Sequence, residues 1–246
     1  MYNYKLTIQY DGGRYKGWQR LGDTDNTIQG KIEKVLSVMA NQPIDIIGAS
    51  RTDAGVHALA QVANFKLDKH VPESEVMNYL NHYLPSDISI TKVELVDERF
   101  HARYHAKEKT YLYRIWNQPY SHPFMRKYSM HVKQKLDLEA MQQGCAQFVG
   151  EHDFTAFTNA KSKKKDRVRR IFSMEAKEAD GFIEIRVSGD GFLYNMVRKM
   201  VWTLIEIGLG HKRPEDIPAI LASRDRSQPG GMADAAGLFL ERIRFD

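Results

Sequence analysis

The chain has 246 residues, 42% hydrophobic and 27% charged, with a formal net charge of +5. That length can bury a full core, as one large domain or two fused small ones, and the composition is that of a soluble globular protein. No apolar stretch approaches the roughly 18 residues that span a bilayer. The opening MYNYKLTIQYDGG lacks the basic and then apolar order of a secretory signal, so a cytoplasmic protein with no membrane partner is expected. The single cysteine, Cys145, cannot form an internal disulfide, and its GCAQF setting reads as a core thiol within a helix.

In chain order the first element is a strand. Tyr2, Tyr4, Leu6, Ile8 and Tyr10 alternate with polar residues, and Asp11-Gly12-Gly13 closes the run. Residues 27–40 read as a helix, with Ile28, Ile32, Val35, Leu36 and Met39 three or four apart. Strands follow at 44–50 and 57–66, a helix after Pro72, and a strand at 88–97. The order βαββαβ is the ferredoxin-like unit.

The remainder repeats that order with insertions. A long strand over AKEKTYLYRIWN precedes a short one at Tyr128 to Lys133 and a helix at Leu138 to Val149. Strands at 168–178 and 182–188 meet at the turn Ala179-Asp180-Gly181. A helix at 192–208 carries Leu193, Met196, Val197, Met200, Val201, Leu204 and Ile205 on one face. A short helix after Pro214 and a strand at LFLERIRF finish the chain. The expected fold class is α+β: two ferredoxin-like halves, 1–103 and 104–246, sharing a largely antiparallel central sheet with a cleft between them. Ligands favour such clefts.

The segment KSKKKDRVRR, residues 161–170, holds seven Lys or Arg residues and one Asp. It reads either as a solvated loop or as a grip on a phosphate backbone through Lys163, Lys164 and Lys165. His101 and His105 are four apart, which on a helix could chelate zinc. Here FHARYHAKEKTYLYRI reads as extended chain, which would put the rings roughly 13 Å apart. There is no Cys pair, no GxSxG elbow and no GxxxxGK[ST] loop. Gly189-Asp190-Gly191 before a helix could hold a phosphate, but a lone GxG is also an ordinary strand-to-helix turn.

Gly48-Ala49-Ser50-Arg51-Thr52-Asp53-Ala54-Gly55-Val56-His57-Ala58 stands apart, joining two expected strands. Asp-Ala-Gly could be only an Asx-type turn. However, Arg51 and Asp53 place opposite charges beside the same Thr52, and the small residues around them admit another molecule.

GASRTDAGVHALAQVANF closely resembles the active-site motif of the anticodon stem-loop tRNA pseudouridine synthases, the tRNA pseudouridine synthase A family. YDGGRYKGWQR, FHARYHAKEKTYLYRIWN and GDGFLYNMVRKMVW resemble that family's other segments, in order along nearly the whole chain. The resemblance implies conversion of uridine to pseudouridine at positions 38 to 40 of tRNA by a homodimer, without metal or organic cofactor. It implies that Asp53 is the essential aspartate, that Tyr111 contacts the substrate and that Arg198 pairs with the aspartate. It also implies that Arg51 helps turn the uridine out of the stem.

The residue types suit that chemistry. The bond from ribose C1′ to uracil N1 breaks, the base rotates, and C1′ rejoins at C5; nothing is oxidised or hydrolysed. An ionised carboxylate could attack C1′ or the ring, or remove a ribose proton. A nearby guanidinium keeps a desolvated carboxylate ionised. Read from its helix pattern alone, Arg198 could equally be a surface ion-pair partner, and Tyr111 a core residue on one face with Tyr113 and Ile115. Two other functions are open: a non-catalytic RNA-binding protein that stacks bases on sheet aromatics, and a metal-dependent phosphoesterase using Asp11, Asp53 and Asp190.

Overall fold

The computed structural model describes residues 1–159 and 166–245, which form two compact units. The first comprises Met1–Lys107 together with the C-terminal segment from Leu240; the second is Glu108–Phe239. The expected division at 103/104 assigned the whole C-terminus to the second half. Instead Lys107 N–H donates to Arg244 C=O at 2.8 Å, drawing the last strand into the first unit.

In the first unit, strands β1 (Tyr2–Tyr10), β2 (Ile47–Gly48), β3 (His57–Leu67) and β4 (Ile88–Val96) alternate with helices α1 (Ile28–Ala40) and α2 (Glu73–Tyr83). The expected βαββαβ order is therefore present. β1 pairs antiparallel with β3 on one side and β4 on the other, and β2 pairs with β3. The resulting order β4-β1-β3, with β2 on β3, is that of the ferredoxin-like unit. Tyr4, Leu6, Ile8 and Tyr10 are buried, as their alternation predicts. At the start of β1 the pattern inverts: Tyr2 is exposed and Asn3 is buried. Asn3 Nδ2 donates to the carbonyls of Asp97 and Phe100, and Oδ1 accepts from Asn64 Nδ2 at 3.1 Å. Three hydrogen bonds offset the cost of desolvating the amide.

α1 begins at Thr27, whose hydroxyl accepts from Gly30 N–H, and ends at Asn41 in the left-handed conformation. Ile28, Ile32 and Leu36 form its buried stripe. The strand expected at 44–50 shortens to Ile47–Gly48 because side chains replace its ladder. Ile44 N–H donates to Ser37 Oγ at 2.9 Å, and Ile46 N–H donates to Glu33 Oε1 at 3.0 Å.

The second unit holds β5 (Glu108–Trp116), β6 (Met130–His131), α3 (Leu138–Phe148), β7 (Gly150–Asp153), β8 (Val168–Ala179) and β9 (Phe182–Gly189). α4 (Met196–Gly208), α5 (Asp216–Ser223), a 3-10 turn at Ala235–Gly237 and β10 (Leu238–Arg244) follow. β5, β9, β8 and β7 pair successively antiparallel, and β6 runs parallel to β5. The β8–β9 hairpin turns at Asp180 (φ 51°) and Gly181 (φ 81°), the two positive angles a type I′ turn needs. All the expected face of α4 from Met196 to Ile205 is buried, each such side chain contributing about 1.5–3 kcal/mol. The helix starts at Met196 and not at 192, because Asn195 takes a left-handed φ of 62°.

His101 and His105 do not lie on extended chain. His105 N–H donates to His101 C=O at 3.0 Å, folding the segment into a turn, so the separation argued from strand geometry does not apply. Their Nδ1 atoms accept from backbone N–H groups of the same turn. Cys145 is buried in α3, and burial pushes its thiol up to about 12. Native protein at neutral pH is therefore expected to leave Ellman's reagent unreacted, and unfolded protein to titrate one thiol. Rapid native labelling would contradict a sealed core position.

Candidate active site

Residues 49–56 join β2 to β3, and the start of this loop is tied to β3. Ala49 N–H donates to Val62 C=O at 2.8 Å, while Gln61 Nε2 donates to Ser50 C=O at 2.7 Å. Further along the loop Val56 N–H donates to Asp53 C=O at 3.1 Å. Gly55, at φ 80°, completes the turn in a conformation that side chains disfavour. Thr52 is buried, Asp53 is half-buried and Arg51 is exposed. The hydrogen bond that closes the turn is thus made between backbone groups.

A second loop presses on the first. Trp18 N–H donates to Thr52 C=O at 3.0 Å, Tyr10 Oη lies 2.7 Å from Thr52 Oγ1, and Gly12 N–H donates to His57 Nδ1 at 3.1 Å. The approach is so close that a Cβ on Gly12 would lie 1.9 Å from Val56 C=O oxygen. On Gly17, at φ 102°, a Cβ would lie 2.7 Å from Thr52 C=O oxygen. These contacts explain two glycines of YDGGRYKGWQR: Gly12 and Gly17 let one backbone lie against the other. The far side of this loop is fixed by Tyr15, which donates to Asp87 Oδ1 at 2.6 Å, and by an Arg14–Asp87 ion pair. Burial, with Asp87 adding to it, pushes the Tyr15 phenol up to about 12, so it remains a donor. Sequence reading missed Tyr10, Gly12, Gly17 and Trp18 as supports. Their signal was the close repetition of glycine beside aromatics.

The other expected residues, Tyr111 and Arg198, lie in the second unit. Tyr111 is buried on β5 opposite Val187, and Phe192 meets its ring edge-on at 5.1 Å between centroids. Arg198 lies on α4 and is tied to Ala233 both ways: its Nε donates to Ala233 C=O at 2.7 Å, and Ala233 N–H donates to Arg198 C=O at 3.1 Å. One donor of the guanidinium is thus committed, and its two terminal nitrogens are left for other partners. Next to it Tyr113 donates to Asp234 C=O at 2.8 Å. Burial, reinforced by Asp234, holds the Tyr113 phenol far above its ordinary range. Arg198 is therefore held by Ala233, in a segment whose next residue also bonds the buried Tyr113. Phe192 and Tyr113 were not singled out by sequence, since a core aromatic gives no separate signal there. Lys163, Lys164 and Lys165 lie outside the described residues.

Residues 6–105 and 145–246 match the family model described as tRNA pseudouridine synthase. The chain is 65% identical over 245 residues to "tRNA pseudouridine synthase A" of Bacillus sp. (strain KSM-64), covering 100% of both. It is 62% identical to "tRNA pseudouridine synthase A 2" of Bacillus cereus (strain ZK / E33L), again over 100% of each, and 44% identical to the "tRNA pseudouridine synthase A 2" of Clostridium tetani over 99% of each. A solved Cbf5-Nop10-Gar1 complex contains a chain with 14% identity and a TM-score of 0.38, covering 82% of this chain and 45% of that one, too slight a likeness to inform the fold. The chain belongs to the tRNA pseudouridine synthase family, and the activity of that family is the isomerisation of uridine in tRNA. Catalysis thereby displaces the non-catalytic RNA-binding alternative, and a phosphoesterase built on Asp11, Asp53 and Asp190 is set aside with it.

Proposed function

We propose that this chain isomerises uridines at positions 38 to 40 of the tRNA anticodon stem-loop, acting as a cytoplasmic homodimer with Asp53 as the reacting carboxylate. The observation that carries this reading is the RTDAGVHA turn, held on both sides with Asp53 half-buried at its centre. The C1′–N1 bond breaks and C1′–C5 forms; C5 loses a proton and N1 gains one, so the reaction balances without a co-reactant. Asp53 enters either as nucleophile toward C1′ or the ring, or as the base for a ribose proton. Tyr111 stacks on the turned-out uracil, and its hydroxyl receives or relays the C5 proton. Arg51, exposed beside Asp53, fills the space the base leaves in the stem. Lys163, Lys164 and Lys165 hold backbone phosphates.

Arg198 provides the counter-charge that keeps Asp53 ionised when substrate excludes water. Replacing it by Met keeps most of the length and removes the cation. Turnover at neutral pH should fall about ten- to a hundredfold, the equivalent of losing a charge-assisted hydrogen bond. The ionised carboxylate is the reactive form, and losing its counter-charge favours protonation. The acid limb of the single-turnover rate profile should therefore move to higher pH, and part of the loss should return there. Coincident acid limbs for Arg198→Met and wild type would remove this role.

Site choice is tested by treating unmodified tRNA with the enzyme and mapping carbodiimide-stable stops by primer extension. Stops confined to positions 38 to 40 are expected. Modification only elsewhere in the tRNA would overturn the proposed target.

A further inference from the structure

Residues 117–136 connect β5 to the approach to α3, wholly within the second unit. The segment contains no acidic residue, while Arg126, Lys127, Lys133 and Lys135 give it four fixed positive charges. Glu178 borders the same hollow as Lys133 and Lys135 and is the one carboxylate among its lining residues. The segment also displays large aromatic surface: Phe124 is 85% exposed and Tyr120 is 63% exposed.

That exposure does not come from a slack loop. Trp116 Nε1 donates to Tyr120 C=O at 2.7 Å, and the Trp116 ring packs on His122 at 4.7 Å and Phe182 at 4.8 Å. Met125 N–H donates to His122 Nδ1, and the Met125 carbonyl accepts from both Tyr128 N–H and Ser129 Oγ. His131 Nε2 is 2.9 Å from Gln118 C=O oxygen. The backbone is thus pinned on both sides of Phe124, and the ring stands outward from an ordered frame. Leaving a phenylalanine in water forgoes the stabilisation its burial would give, which points to a use outside the fold.

We propose that this segment is an RNA-contact surface, in which Phe124 stacks on an unpaired base and the four cations hold the flanking phosphates. An aromatic platform among cations is the general means of gripping a single strand. A second copy of the chain is the poorer occupant. A two-fold contact through this patch would set four cations against the same four. Trp116 lies five residues beyond Tyr111 on β5, about 17 Å along the strand. The inference rests on the tRNA reading above and extends it to a surface remote from the chemistry.

Two variants test it against an unmodified tRNA transcript across a salt series. Phe124→Ala, at an exposed position, should keep the wild-type melting temperature and weaken binding about five- to a hundredfold. Replacing Arg126, Lys127, Lys133 and Lys135 together by Gln should flatten the log–log salt slope by about three units. Sedimentation equilibrium should give both variants the wild-type mass. A drop in mass would instead make the segment an interface between copies and overturn the inference. Unaltered affinity and slope in both variants, with a wild type that modifies tRNA, would overturn it alone. A wild type that neither binds nor modifies tRNA would remove the functional reading and this inference together.

Discussion

Asp53→Asn should abolish pseudouridine formation while changing tRNA affinity by less than about tenfold, or roughly 1.4 kcal/mol. The substitution preserves shape, and the bond from Val56 N–H to the Asp53 backbone carbonyl does not involve the group that changes. What disappears is the anionic oxygen, which an amide replaces neither as nucleophile nor as base. The expected pattern is a kcat below detection, an unchanged melting temperature and retained binding. Single-turnover assays at saturating tRNA separate the chemical step from association. Appreciable turnover by a verified Asp53→Asn protein would refute the role assigned to the carboxylate.

Gly12→Ala should lower turnover about a hundredfold without removing any group that touches substrate. A Cβ at position 12 would lie 1.9 Å from Val56 C=O oxygen and 2.6 Å from its carbonyl carbon, both backbone atoms without a rotamer to give. The two loops must part by more than 1 Å to restore ordinary contact distance, and Val56 is the residue hydrogen-bonded to Asp53. A displacement of about 1 Å at a reacting group costs on the order of a hundredfold in rate. The accompanying overpacking should destabilise the fold by about 1–3 kcal/mol, read as a lower melting temperature. Gly22→Ala is the matched control, since a Cβ there meets nothing within 4 Å. Full activity in Gly12→Ala would mean that the 11–18 loop does not set the position of Asp53.

Strongly periodic elements were legible in the sequence. The α4 stripe and the β1 alternation identified their buried faces because apolar burial alone decides those positions. Departures occur where side chains compete with the backbone for hydrogen bonds. Asn3 is buried because its amide satisfies two carbonyls, and residues 44–46 leave the ladder for Ser37 and Glu33. β7 at Gly150–Asp153 was not expected, since GEHD carries no apolar alternation; its pairing with β8 forms it. The start of α4 was placed too early because Phe192 and Leu193 extend its apolar pattern. Thr158 Oγ1 and Asn159 N–H instead bond the Tyr194 carbonyl, which holds that residue outside the helix.

The candidate residues were legible to a different depth in each unit. Asp53 and Arg51 lie in a short, distinctive segment, where two charges flank one Thr. Tyr111 and Arg198 depended on the family resemblance, because a strand tyrosine and a helix-edge arginine each have commonplace structural uses. The segment 233–234 that holds Arg198 also bonds Tyr113, more than a hundred residues away in the chain, and leaves no local pattern.

The most direct measurement is release of tritium from uracil C5 of labelled tRNA by wild-type enzyme, with and without EDTA, beside Asp53→Asn. Rejoining C1′ at C5 expels the C5 hydrogen, so wild type should release tritium in step with pseudouridine formed, equally in both conditions, and Asp53→Asn should release none. Wild-type protein that binds tRNA without releasing tritium, or that stops when the chelator is added, would contradict carboxylate-driven isomerisation at Asp53.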